Sequence, residues 1–334
     1  MSSAPLIDPF GRRVRDLRIS VTDRCNFRCD YCMPAEGMKW LPRDQVLTFE
    51  EIARVAAVCV GRFGFEGIRI TGGEPTVRAH LPVLVGMLAE LRTAEGQPVD
   101  LAMTTNGATL ALLAEDLRRA GLRRLNISCD SLREDRFAAM TRRNQLGRVL
   151  EGIQAAKAAG YDQLKLNVVT VRGVNDDEAV DFATFGREQG VQPRFIEFMP
   201  LDAGGTWDRS KVVPASETVA AIDAVYPLQA LPQGSAPAQR YRYRDGRGEV
   251  GAIASVTQPF CGSCDRIRLT AEGQLRTCLF STTEHDLRAV LRDGSDDDRL
   301  AGAIAAAVGT KWAGHSIGRS TFVRPLRGMS QIGG

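Results

Sequence analysis

The chain has 334 residues, 44% hydrophobic and 25% charged, with a formal net charge of +3. That composition is ordinary for a globular protein, and the charge is too small to argue for a nucleic-acid or membrane partner. No stretch stays apolar for the roughly eighteen residues a membrane span requires, and Met1–Arg13 lacks the apolar segment of a secretory signal, so a cytoplasmic protein is expected. In chain order, Asp16–Thr22 alternates as a strand. Thr48-Phe49-Glu50-Glu51 reads as a capping box, starting a helix with stripe Ile52, Val55, Ala56 and Cys59 that is expected to end near Gly61. Strands are then predicted at Gly67–Thr71, Val99–Thr104, Arg124–Cys129, Leu164–Val171 and Arg194–Phe198. Helices fall between them at Leu81–Arg92, Leu110–Ala120 and Glu178–Gln189, with helical segments between Asp135 and Ala159.

Six strands separated by helices are the pattern of parallel βαβ units, two short of a complete barrel. A doubly wound open sheet fits the same alternation. In either case the loops after the strands form the functional face. Past Pro200 the pattern changes: Ala203-Gly204-Gly205 and Gly234-Ser235-Ala236-Pro237 are breaker-rich, and Arg240–Ser255 reads as a hairpin around Asp245-Gly246. Terminal helices are expected near His285–Arg292 and Arg299–Lys311, before a basic tail ending Gly333-Gly334.

Six of the eight cysteines form two triads. Cys25, Cys29 and Cys32 follow the first strand; Cys261, Cys264 and Cys278 follow the hairpin. Cys59 and Cys129 lie in helix and strand patterns and read as small buried hydrophobes. Thiolates favour iron–sulfur clusters, zinc or copper(I), and three at these spacings can hold one face of a cubane with a corner free. A disulfide framework is disfavoured in a chain that can bury a core without one. Zinc needs four ligands; at the second triad His285 is the candidate fourth. Gly72-Gly73-Glu74-Pro75 follows the second strand and exposes backbone that a zwitterion could touch, although a plain turn is the competing reading. Arg266 and Arg268 share one face of a strand and could fork onto phosphate, against the alternative of a solvated face. Arg18, Arg69 and Lys165 also sit on strands, where an inward charge is costly without an anion.

The first triad, with Tyr31 before its last cysteine, resembles the cluster loop of the radical S-adenosylmethionine superfamily. The two triads, Gly-Gly-Glu-Pro, Thr104-Thr105-Asn106-Gly107, Asn126-Ile127-Ser128, Phe195-Ile196-Glu197-Phe198-Met199, Arg266-Ile267-Arg268 and the terminal Gly-Gly together resemble the GTP 3′,8-cyclase family, also called molybdenum cofactor biosynthesis protein A, over nearly the whole chain. The resemblance implies an α/β partial six-unit (βα) TIM-like barrel over residues 1–230, and a carboxyl-terminal α+β extension over 231–334 that closes its open side.

It implies two 4Fe-4S clusters, on Cys25, Cys29 and Cys32 and on Cys261, Cys264 and Cys278. It implies S-adenosyl-L-methionine on Tyr31, Gly73, Ser128 and Met199, and GTP on Arg18, Arg69, Thr104, Lys165, Arg266, Ile267 and Arg268. The implied reaction begins with hydrogen abstraction at ribose C3′ by a 5′-deoxyadenosyl radical. Arg266 and Arg268 stand as catalytic candidates for assisting ring protonation. Gly333 and Gly334 are expected to reach into the site. An external electron donor, a downstream molybdopterin-pathway enzyme and a homodimer follow from the same resemblance. The competing functions are another radical S-adenosylmethionine enzyme with an auxiliary cluster, and a non-catalytic iron–sulfur or zinc protein.

Overall fold

The computed structural model describes residues 4–202 and 205–333. A short hairpin of β1 (Leu6–Ile7) and β2 (Arg13–Val14) precedes β3 (Asp16–Ser20). The capping box forms as the sequence implies: Glu51 N donates to the Thr48 hydroxyl at 3.2 Å, and Thr48 N to the Glu51 carboxylate at 2.7 Å. It starts α1 (Phe49–Phe63), which ends at Gly64 in the left-handed region with φ 65°. The end expected at Gly61 is corrected, because buried Val60 and core-packed Phe63 carry the apolar stripe one turn further.

The chain continues through β4 (Gly67–Thr71), α2 (Leu81–Ala89), β5 (Asp100–Thr105), α3 (Ala114–Arg119), β6 (Arg124–Ser128), α4 (Glu134–Thr141) and α5 (Leu146–Ala158). It then forms β7 (Leu164–Thr170), α6 (Ala179–Gln189), β8 (Gln192–Glu197) and α7 (Ala215–Asp223). The helix expected over Leu110–Ala120 is interrupted: a 3₁₀ turn over Leu110–Leu112 precedes α3. The helical segments expected between Asp135 and Ala159 are α4 and α5, separated at Arg142 with φ 54°.

β3 to β8 pair in parallel and in sequential order. A doubly wound sheet reverses its order at a switch point; this run never does, which selects the barrel-type arrangement. The remaining strands are β9 (Leu228–Ala230), β10 (Gln239–Tyr243), β11 (Glu249–Ile253), β12 (Arg266–Leu269), β13 (Gln274–Arg276) and β14 (His285–Asp286), followed by α8 (Leu287–Arg292), α9 (Asp297–Val308) and α10 (Met329–Ile332). The expected hairpin is β10–β11. β11 adds to β8 and β12 to β3, both in parallel, so the later chain supplies a neighbour to each edge of the six-strand run. His285, expected in a helix, lies in β14 opposite Leu275.

Along the strands, Leu17, Ile19, Ile68, Ile70, Leu125, Ile127, Leu164, Leu166 and Val168 are buried in the core shared with the helices. Strand alternation then turns Arg18, Arg69, Asn126, Lys165 and Asn167 to the opposite, interior face.

Candidate active site

The first cysteine loop leaves the carboxyl end of β3 and is fixed from several sides. Phe27 is buried edge-on to Phe137, with ring centroids 5.8 Å apart. Arg28 donates to the carbonyls of Cys25 at 2.7 Å and Phe27 at 2.8 Å, and its own amide bonds Thr141 O at 3.0 Å. The Cys32 amide bonds Cys29 O at 3.0 Å, and Asn106 approaches Cys25 Sγ at 3.9 Å.

Gly72 and Gly73 are needed for contact with this loop. A Cβ at Gly73 would stand 2.4 Å from Arg24 O and 2.5 Å from Asp23 O; one at Gly72 would stand 2.8 Å from Thr22 O. Glu74, 1% exposed, ties the next strand in. Its carboxylate accepts from Thr76 N at 3.1 Å, Thr76 Oγ1 at 2.6 Å, Thr105 Oγ1 at 2.6 Å and Asn106 N at 2.6 Å. Tyr31 donates to Asp130 at 2.5 Å, and Val169 N donates to the other oxygen of that carboxylate at 2.8 Å.

Burial pushes Cys25 up to about 12 and Cys32 to about 11, and raises Cys29 well above its ordinary value. These thiols hold their protons until a cationic group displaces them. Burial also raises Cys264, but Arg266 and Lys311 outweigh it and bring that thiol to about 7. Among the described residues no three His, Cys, Asp or Glu side chains stand close enough to grip one metal ion. Three free thiols in each loop are a donor set that suits a polynuclear iron–sulfur cluster better than a single zinc ion, which takes four ligands. His285 is not turned to the second triad; its ring meets Thr310 Oγ1 at 3.1 Å. Cys59 and Cys129 are fully buried in the core, as the patterns implied.

The tail joins the two triads. Ser330 lies beside Cys32 and donates its hydroxyl to Met38 Sδ at 3.5 Å, Met329 and Ile332 pack in one small apolar cluster with Met199, Leu201, Cys278 and Phe280, and Gly333 lies against Ser20 and Thr71. A Cβ at Gly333 would meet Thr71 Oγ1 at 2.6 Å. Gly334 lies outside the described residues, as do Ala203 and Gly204 of the breaker-rich segment.

The interior carries a layer of cations. Arg268, Arg18 and Arg69 stand side by side in register on β12, β3 and β4. Lys165 and Arg194 project from β7 and β8 on the far side, with Arg194 Nε donating to Asn167 Oδ1 at 3.1 Å. Burial first, and neighbouring cations second, lower Arg18 and Arg268 to about 9 and Lys165 to about 8. Burial leads for Arg69 and Arg194 as well, bringing each to about 10. The Nε atoms of Arg18, Arg69, Arg266 and Arg268 are buried without a hydrogen-bond partner among the described residues, with the carboxylates of Asp16 and Asp265 standing 3.8 and 3.7 Å from those of Arg18 and Arg266. A cation layer with open donors calls for a polyanion.

The chain matches the radical SAM superfamily over residues 19–186 and the Molybdenum Cofactor Synthesis C family over 191–317. It is 48% identical over 335 residues to a GTP 3′,8-cyclase of Mycobacterium sp. (strain KMS), covering 100% of this chain and 95% of that protein. It is 47% identical over 339 residues to GTP 3′,8-cyclase 2 of Mycobacterium tuberculosis (strain ATCC 25618 / H37Rv), covering 100% and 93%. The chain belongs to the GTP 3′,8-cyclase family. A solved structure of Streptococcus suis SuiB bound to precursor peptide SuiA is similar in fold, with a TM-score of 0.58, 14% identity and coverage of 91% of this chain and 67% of that one.

Membership in the cyclase family sharpens the account of the individual residues. Tyr31, Gly73, Ser128 and Met199 all lie in or beside the loops at the strands' carboxyl ends. Thr104 accepts from Asn126 at 3.4 Å within the interior. Ile267 is fully buried in the core, so any contact it makes with a ligand is through its backbone. Arg194 and Glu74 were not singled out from sequence. Arg194 could have been found from its parity, two residues ahead of Ile196 on a strand already read; Glu74 had no local signal for its partners on β5. A cavity of about 920 Å³ opens at the amino-terminal ends of β7, β8 and β11, lined by Lys165, Gln192, Arg240 and Glu249 among others. None of the cysteines lines it, so its size does not mark the chemistry; through Lys165 it meets the cation layer.

Proposed function

We propose that this chain converts GTP to (8S)-3′,8-cyclo-7,8-dihydroguanosine 5′-triphosphate, the first committed chemistry of molybdenum cofactor biosynthesis, as a radical carbon–carbon lyase. The observation that carries the reading is the layer of buried arginines in register on β12, β3 and β4, whose Nε atoms have no hydrogen-bond partner among the described residues. GTP brings about four negative charges at neutral pH, enough to compensate that layer.

Cys25, Cys29 and Cys32 would hold the first four-iron cluster and Cys261, Cys264 and Cys278 the second. Residues 1–230 would form the radical barrel and 231–334 the unit bearing the second cluster. When bound, the first cluster and S-adenosylmethionine would supply the 5′-deoxyadenosyl radical chemistry needed for hydrogen abstraction at ribose C3′. Tyr31, Gly73, Ser128 and Met199 would seat the S-adenosylmethionine. Arg18, Arg69, Lys165, Arg194, Arg266 and Arg268 bind and orient the triphosphate, which fixes C3′ and the base relative to the first loop. Gly333, with α10, covers the strand ends and keeps solvent from the reacting atoms. Arg266 and Arg268 would also assist protonation of the ring. An external one-electron donor, a cytoplasmic location and a downstream enzyme taking the cyclic nucleotide complete the reading.

The test is 5′-deoxyadenosine release by anaerobically reconstituted protein given S-adenosylmethionine and a strong reductant, with GTP, with ATP or with no nucleotide. Release should rise only with GTP and vanish in Cys25→Ala. Release indifferent to nucleotide would refute the cyclase reading.

A further inference from the structure

Lys311 follows α9 and is buried beneath the second cysteine loop, 3% exposed. Its ammonium makes three contacts: Arg266 O at 2.8 Å, Thr277 O at 2.6 Å and Cys264 Sγ at 3.8 Å. Those acceptors lie on both halves of the split triad, since Thr277 immediately precedes Cys278 and Arg266 follows Cys264 by two residues. All three ammonium donors are thereby used. Among the described residues none of these partners is a carboxylate. Arg12 offers a contrast in the same place. It holds the carbonyls of Cys261 and Ala313 at 2.7 and 2.8 Å, but its charge is paired with Asp8 at 2.5 Å.

A buried ammonium bonded to two neutral carbonyls and one sulfur is costly unless negative charge stands close by. The nearest source is the set of thiolates of Cys261, Cys264 and Cys278. We propose that Lys311 is a positioning residue for the second cluster: its ammonium joins the two segments that carry the cysteines, and its fixed positive charge favours the reduced cluster. No bond to Lys311 forms or breaks; the electron that reduces the cluster comes from the external donor. Second-shell groups of this kind tune both affinity and potential. The inference rests on the reading that this triad holds a four-iron cluster.

The experiment uses full-length protein in which Cys25, Cys29 and Cys32 are replaced by Ala, so that only the second cluster is loaded, followed by potentiometric titration with electron paramagnetic resonance. Lys311→Gln and Lys311→Met should titrate at lower potential, with a reduced fraction on the order of tenfold smaller at a fixed applied potential, and Lys311→Arg should restore most of the difference. If Lys311→Met fails to fold, Lys311→Gln, which keeps a donor without the charge, carries the comparison. Midpoints equal to that of the parent in Gln and Met, or an Arg variant as low as Met, would overturn the proposal. A parent protein that binds no iron would instead overturn the cluster assignment, and the proposal with it.

Discussion

Replacing Arg18 by methionine separates the stability of the ligand-free protein from its affinity for nucleotide. Arg18 lies between Arg69 and Arg268 in register, and burial together with the fields of Arg69 and Arg266 lowers it to about 9. A fall of that size, at about 1.36 kcal/mol per pH unit, corresponds to roughly 4–5 kcal/mol of disfavoured charge at neutral pH before relaxation. Apolar replacements of buried ionic groups typically recover about 1–4 kcal/mol. The sign follows from proton counts. Between about 9 and its ordinary value the unfolded chain holds the Arg18 proton more firmly than the native one, so ligand-free stability rises with pH there, and the penalty is fully present below about 9. Arg18→Met should therefore unfold several degrees higher than the wild type without ligand. With saturating GTP that advantage should shrink by about 1.5–3 kcal/mol, because the variant loses a charge-assisted contact worth more than tenfold in affinity. Anaerobic scanning calorimetry with and without GTP, paired with isothermal titration, reads both quantities. A lower ligand-free Tm with unchanged GTP affinity would refute the reasoning.

Gly73→Ala forces a Cβ to within 2.4 Å of a backbone carbonyl of the first cysteine loop, so iron bound after reconstitution should fall from about eight to about four per chain; full iron content would show that the loop can move aside. Glu74→Gln turns an amide N–H₂ toward donors that need acceptors, and a loss of about 2–4 kcal/mol is expected in denaturant unfolding, with a change below about 1 kcal/mol counting against the role drawn for it. Lys165, lowered to about 8 by burial and by Arg194, Arg124 and Arg69, must regain a proton to meet the triphosphate above that pH. GTP affinity should therefore weaken as pH rises through about 8, with proton uptake seen by titration in buffers of different ionisation enthalpy, and Lys165→Met should abolish that uptake. If uptake survives in Lys165→Met, another group is responsible.

Much of this architecture was legible because strand and helix periods are local. The parity of Arg18, Arg69, Lys165, Arg266 and Arg268 could be read two residues at a time, and Thr48 and Glu51 announce α1 within four positions. What the sequence concealed is long-range. Nothing near Glu74 indicates that Thr105 and Asn106 donate to it, and nothing in Lys311 points to Cys264. Ile267 illustrates the limit of treating a tripeptide as one unit: the alternation that aims its arginine neighbours inward turns Ile267 into the core. The break at Leu113 falls inside a stretch whose hydrophobic pattern runs on, so only the folded backbone reveals it.

The placement of β12 beside β3 bears on how the chain is made. Arg15 and Asp265, which join those strands, are 250 residues apart, so β3 emerges from the ribosome long before its edge partner exists. Throughout that interval a parallel sheet edge with unpaired amides and carbonyls stands open, and the β8 edge shares its exposure until β11 is synthesised. Nascent chains of this protein thus pass through a period in which they present two adhesive borders, and a chain halted before residue 249 would keep both.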